Sequence, residues 1–199
     1  MNPFSSRFIR PGARRYLFPP NESINSVLER LVEKRIVQIV GPHGSGKSTL
    51  VETICQSSDY DFAKVVIPSS RPKNEAFKEI RNKIEASSQD KLLVIDGIEQ
   101  LKVSQRSRII AKCKMQKLLL LVTTHVSVGV DTLMQTSTSF NVFRQIVDEM
   151  LNERLDSVSR DADLIETTDI ERAFKNSFPD LREAFFELYD VFERRRAAV

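Results

Sequence analysis

Four short apolar runs, the first three each followed by a stretch with the length and pattern of a helix, set the limits on how this chain can fold. They are IVQIV (36–40), FAKVVIP (62–68), KLLVIDG (91–97) and KLLLLVTTH (117–125). Each is rich in Leu, Ile and Val and nearly continuous, as in a strand buried on both faces. Between them lie STLVETICQ, with Leu50, Val51, Ile54 and Cys55 on one side, and NEAFKEIRNKIEAS, with Phe77, Ile80 and Ile84 on its inner face. A weaker helical pattern covers about 103–113. Strands alternating with helices predict an α/β fold, a mostly parallel sheet covered on both faces.

The flanks read differently. Residues 1–20 carry Pro3, Pro11, Gly12, Pro19 and Pro20 and predict an extended arm, able to pack through Phe4, Phe8, Tyr16, Leu17 and Phe18. In NESINSVLERLVEKR, Ile24, Val27, Leu28, Leu31 and Val32 fall on one helical face, with Asn21 or Ser23 as the cap. After 140 the strands stop. Val142, Phe143, Ile146, Val147, Met150 and Leu151 mark one helix, and Thr168 to Glu171 has capping-box spacing ahead of a second. Asp180 opens a third, with Leu181, Ala184, Phe185, Leu188 and Phe192 on one stripe. The expected organisation is an arm (1–20), a core (21–140) and a small helical lid (141–199).

GPHGSGKST (41–49) joins the first strand to the next helix, and Gly41, Gly46, Lys47 and Ser48 match G-x-x-x-x-G-K-[ST] in full. Glycines let the backbone curl so that several N–H groups face inward, and the helix start adds its positive dipole end. That is a cradle for phosphates. Its candidate contacts are Gly41, Pro42, His43, Gly44, Ser45, Gly46, Lys47, Ser48 and Thr49, with Pro42, His43 and Ser45 as spacers. Lys47 supplies charge for the outer phosphates, and the Ser48 hydroxyl suits Mg²⁺. Asp96 ends LLVID, where a carboxylate can hold Mg²⁺ through its water shell. Gly97 follows it, so the next acid able to orient water is Glu99, a base or else a solvated surface residue. Thr123 and Thr124 end the fourth strand, placed to sense a γ-phosphate or simply to close the strand, with His125 a lesser candidate.

Other signals narrow the field. NKIE (82–85) has Glu where a guanine-reading N-K-x-D needs Asp, and it lies mid-helix, so adenine is preferred and the cofactors are ATP and Mg²⁺. No LSGGQ-type run appears, which argues against a transporter ATPase. The net charge of +3, from 30 basic and 27 acidic residues, does not make the whole chain a polyanion binder. Basic residues do gather at Arg7, Arg10, Arg14 and Arg15 and at Arg194, Arg195 and Arg196, leaving nucleic-acid contact through the arm open but not favoured. Cys55 and Cys113 sit in apolar settings without metal-ligand spacing and read as reduced core residues. LLLLV (118–122) is too short to span a membrane and no signal peptide is evident, so the expected location is cytoplasmic.

GPHGSGKST, LLVIDG and LLVTTH together resemble the additional-strand P-loop ATPases, the AAA+ and STAND-like group. The resemblance implies a three-layer P-loop NTPase in which the strand carrying the sensing Thr lies between the loop strand and the acidic strand. FPDLREAFFELYD (178–190) resembles that group's lid segment, which implies Arg182 as a nucleotide-sensing arginine. FPPNESINSVLERL resembles the helix that precedes the loop strand there and often contacts adenine. The implied catalytic set is Lys47, Asp96, Glu99, Thr124 and Arg182, with Ser48 and Asp96 on the metal. Asp96-Gly97 departs from the group's acidic pair, which implies slow hydrolysis. The expected activity is an Mg-ATP-dependent switch acting on a partner protein or a second copy of the chain. A small-molecule kinase and a non-hydrolysing ATP-binding adaptor are the alternatives. Strand order separates the kinase: direct adjacency of the loop and acidic strands supports it, an inserted strand supports the ATPase.

Overall fold

A computed structural model describes residues 1–154 and 164–198; the part of the expected lid at 155–163 lies outside the described residues. The four apolar runs form β1 (Ile36–Val40), β2 (Phe62–Val66), β3 (Leu92–Asp96) and β4 (Leu119–Thr124), and a fifth strand, β5 (Asp131–Gln135), joins them. The sheet order is β2-β3-β4-β1-β5, with every pairing parallel. β4 therefore lies between β1 and β3. Val40 pairs with Thr124, and Asp96 with Thr123, so the carboxyl ends of these three strands finish level.

The apolar runs did not announce β5, whose DTLMQ is half-exposed at the sheet edge and has only Leu133 and Met134 buried. What organises it is the one polar residue of IVQIV. Buried Gln38 donates to Ser127 Oγ (2.8 Å), the Val130 carbonyl (2.8 Å) and Thr132 Oγ1 (3.1 Å), and accepts from the Val128 N–H (2.9 Å). A buried amide must be satisfied, and satisfying it draws 127–132 along β1.

The helices are α1 (Ser6–Ile9), α2 (Ile24–Lys34), α3 (Lys47–Ser57), α4 (Lys73–Glu85), α5 (Val103–Met115), α6 (Phe140–Arg154), α7 (Thr167–Ser177) and α8 (Leu181–Arg196). Ser23, one of the two expected caps, accepts the Ser26 N–H at the start of α2. Successive side chains of a strand face opposite sides of the sheet. Leu93, Ile95, Leu120 and Val122 pack on one side with Ala76, Ile80 and Ile84 of α4 and Ile109 and Cys113 of α5. On the sheet itself α2 contacts β1, β4 and β5.

By its contacts the chain divides into two units. The sheet unit comprises 18–41 and 50–136, and the helical unit comprises 1–17, 42–49 and 137–199, the latter apart from the undescribed residues. The helical unit packs aromatic with aliphatic side chains in its core: Phe143 lies 5.1 Å from Phe185 and 5.8 Å from Phe174, and Phe4 meets Phe192 edge-on at 6.3 Å. The N-terminal stretch is thus not extended throughout. It makes one turn of helix, buries Phe4 and Phe8 in this core, and ties Asn2 to the Tyr189 carbonyl and to Glu193. The capping-box expectation at Thr168–Glu171 is corrected: α7 starts at Thr167, and Asp169 accepts the Glu166 N–H (3.0 Å). Asp169 is buried because Arg195 (2.5 Å) and Arg172 (2.9 Å) neutralise it. Asp180 caps α8, as expected, by accepting the Arg182 N–H (2.9 Å).

Candidate functional site

The phosphate-loop sequence folds as its glycines require. Gly44 (φ +66°) and Gly46 (φ +88°) both lie in the left-handed region open to glycine. Each also admits a close neighbour. A Cβ on Gly44 would lie 1.9 Å from Asp180 Oδ1, and one on Gly46 would lie 3.2 Å from the Tyr16 ring. Within the helical unit, then, the loop is braced by the α8 cap and by the N-terminal segment. Burial among these groups raises the Tyr16 phenol above its ordinary pKa. Two donors converge on the Pro42 carbonyl: Ser45 Oγ (2.8 Å) and Lys47 Nζ (2.6 Å). Lys47, Ser48 and Thr49 form the first turn of α3, where backbone N–H groups have no partner within the helix and favour anions. Pro42 and His43 are exposed. Arg182, in the first turn of α8, is exposed as well.

The sheet unit carries the acidic cluster. Thr123 Oγ1 donates to Asp96 Oδ1 (2.5 Å) and accepts the Gly97 N–H (2.9 Å). One hydroxyl thus fixes both the carboxylate and the turn after it. Gly97 (φ +90°) opens a 3₁₀ turn, Ile98–Gln100, held from below by buried Ile98 and Leu101. That turn brings Glu99 Oε1 to 3.3 Å from His125 Nε2, while His125 Nδ1 lies 3.0 Å from the Gly41 carbonyl. Thr124 Oγ1 donates to the Val126 carbonyl (2.6 Å), and the Gly41 N–H to the Thr124 carbonyl (3.2 Å). Sequence reasoning gave Thr123 no tie to Asp96 and left His125 as a lesser candidate. The alignment of Asp96 with Thr123 across β3 and β4 is the signal that could have found the first. The second needs the turn at Gly97, which no periodicity encodes.

A Ser hydroxyl and an Asp carboxylate are hard oxygen donors that suit Mg²⁺, an ion that takes few ligands from protein and the rest from phosphate and water. Among the described residues no cluster of three or more His, Cys, Asp or Glu forms a metal cage of its own. No helix among them is long and apolar enough to cross a membrane.

A parallel α/β sheet, a G-x-x-x-x-G-K-S loop between its first strand and the next helix, and an aspartate ending another strand of the sheet define a P-loop NTPase. The family model for the ABC transporter matches residues 24–159, and the chain belongs to that family. This overturns the expectation drawn from the missing LSGGQ-type run: a short signature outside the phosphate-binding core does not decide membership that the core itself carries. No curated protein matches by sequence. Two mutant structures of Thermotoga maritima RuvB are similar in fold, each with a TM-score of 0.58 and 18% identity over 84% of this chain. The chain spans 60% and 61% of those chains. C. elegans PCH-2 has a TM-score of 0.47 and 13% identity, covering 87% of this chain and 67% of its own.

Proposed function

We propose that the chain is an Mg-ATP-hydrolysing module of the additional-strand group, working slowly and switching a protein partner or a second copy of itself. The observation that carries this is the strand order: β4 lies between β1 and β3 and delivers Thr123 beside Asp96. Direct adjacency of β1 and β3 would have favoured the kinase. In the reaction, water attacks the γ-phosphorus as the bond to the ADP oxygen breaks, and the water's proton passes to Glu99. Lys47 and the loop N–H groups hold the phosphates, and Arg182 is the nucleotide-sensing arginine. Ser48 and Asp96 would hold Mg²⁺, which would supply neutralisation of the developing charge. Thr124, whose hydroxyl donates to Val126, shapes the turn carrying His125.

The basic arm does not favour nucleic acid, since Arg14 is committed to Glu149 (2.9 Å) and Glu153 (2.9 Å). A cytoplasmic location goes with this proposal. Phosphate release from purified protein with Mg²⁺ and ATP is the test. Glu99→Gln is expected to slow release by about tenfold or more with ATP affinity held within about twofold. Absence of release by the unmodified protein reduces the function to that of an ATP-binding adaptor, in which Asp96-Gly97 marks lost hydrolysis.

A further inference from the structure

We propose that the sheet unit carries a second anion site, a basic cavity at the amino ends of β4, β1 and β5 that takes a small phosphorylated molecule with at least two negative groups. The cavity measures about 540 Å³, and its lining includes Lys34, Arg35, Lys114, Lys117 and Asp131. That volume is in the range of small-ligand sites. Three stretches build it, each leading into one of three neighbouring strands: the end of α2, the turn between α5 and β4, and the turn before β5. Every lining residue belongs to the sheet unit. The phosphate loop follows the carboxyl end of β1, and the cavity lies at the amino end of the same strand, so the two are separate. The inference holds whether or not the chain hydrolyses ATP.

Four cations and one carboxylate line the cavity, although the chain as a whole carries a net charge of only +3. Lys34 meets Glu33 (3.1 Å) and Arg35 meets Asp90 (2.6 Å), whereas Lys114 and Lys117 have no ion-pair partner among the described residues. Cations do gather at the carbonyl ends of helices, and Lys34 and Lys114 stand in the last turns of α2 and α5. That account does not reach Arg35 and Lys117, which lie just beyond those turns with φ of +63° and +54°. A residue leaving a helix in that region is most often glycine, which has no Cβ to crowd. Among the described residues three non-glycines have positive φ: Arg35, Asp90 and Lys117. They are tied to one another. The Arg35 guanidinium donates to Asp90 and to the Lys117 carbonyl, which also accepts the Asp90 N–H (3.3 Å). Strained backbone held by its surroundings gathers at ligand clamps, where the side chain outweighs the conformational cost. At Arg35 and Lys117 that side chain brings positive charge to the cavity. Two uncompensated ammonium groups call for a ligand with two negative charges or more. Among the described residues that line the cavity none is aromatic, and Asp131 is acidic. A nucleic-acid strand needs a basic groove with rings on which its bases stack, so a small ligand fits better.

The test is binding of inorganic pyrophosphate, by titration calorimetry, to the full chain carrying Lys47→Ala, which removes the lysine of the phosphate loop. Pyrophosphate is expected to bind, and adding Lys114→Gln/Lys117→Gln is expected to weaken it by about tenfold through two lost charge contacts. The same pair of substitutions in the otherwise unmodified chain is expected to leave ATP affinity within about twofold, since neither lysine belongs to the phosphate loop. Lys117→Gly separates ligand binding from folding. Glycine suits the φ of +54°, so this variant is expected to melt at a higher temperature and yet to bind pyrophosphate about threefold more weakly. A lower melting temperature gives Lys117 a structural role and overturns the argument from strain. Absence of pyrophosphate binding, or binding unchanged by the paired substitution, overturns the site. Displacement of pyrophosphate by a short single-stranded oligonucleotide overturns the small ligand in favour of nucleic acid.

Discussion

The two units of this protein are cored in different ways. The sheet unit is filled by Ile, Leu and Val from consecutive strands and the helices that follow them. The helical unit mixes phenylalanine with aliphatic side chains, and its parts come from three distant stretches: the N-terminal segment, the loop 42–49 and the helices after 137. The phosphate loop belongs to the second unit by its contacts although it follows β1 in the chain. Its shape is therefore held by Tyr16 and Asp180, residues remote from it in sequence.

The largest test of that division is Phe143→Ala. Phe143 is fully buried between Phe174 and Phe185, and its truncation is expected to cost about 3–5 kcal/mol. Hydrogen exchange should show faster opening in α6, α7, α8 and the loop, with the amides of β1, β3 and β4 keeping their protection. Equal loss of protection in the sheet would show that the two units unfold as one.

Gly44→Ala sharpens the comparison at the loop. The left-handed backbone alone costs about 1–2 kcal/mol, and the new methyl collides with Asp180. ATP affinity is expected to fall by about tenfold or more, by titration calorimetry. Asp180→Ala is not expected to restore it, because the Asp180 Cα itself lies 2.6 Å from the added carbon. Recovery in that double variant would mean that only the carboxylate braces the loop.

Gly97→Ala is the matching change in the sheet unit. It is expected to cost about 1–2 kcal/mol from the φ of +90° and the Ile67 carbonyl, seen as a lowered melting temperature. It should slow phosphate release through Glu99 while leaving ATP affinity nearly intact, the reverse of Gly44→Ala. The smallest expected effect is none at all. Burial pushes the thiol of Cys113 up to about 12 and that of Cys55 up to about 11, so little thiolate exists at neutral pH. Neither is expected to react with a thiol reagent at pH 7 until the sheet unit unfolds, and Phe143→Ala should not accelerate the labelling.

β1, β3 and β4 were legible because burying a strand on both faces leaves a continuous apolar run; β2 is as apolar in sequence although it lies at the sheet edge with Phe62 and Val66 exposed. β5 was not legible, because it has only two apolar residues, Leu133 and Met134, and its pairing depends on the amide of Gln38. The loop glycines and Asp96 were legible from spacing alone. Glu99 was found as a candidate, but its relation to His125 was not, since the two are brought together only by the register of β3 and β4 and the turn at Gly97. The N-terminal segment's prolines and glycine suggested an extended arm, although Phe4 and Phe8 bury themselves among helices from the other end of the chain.

The sequence by itself determined the chemistry of the phosphate loop and the α/β alternation, because both are local: each rests on residue types at fixed short spacings. Tertiary structure decided the strand order, the bracing of the loop by Tyr16 and Asp180, and the pairing of Glu99 with His125. Those depend on side chains distant in the chain competing for the same buried space and the same hydrogen bonds, and that competition is settled only once the strands have paired and the cores have packed.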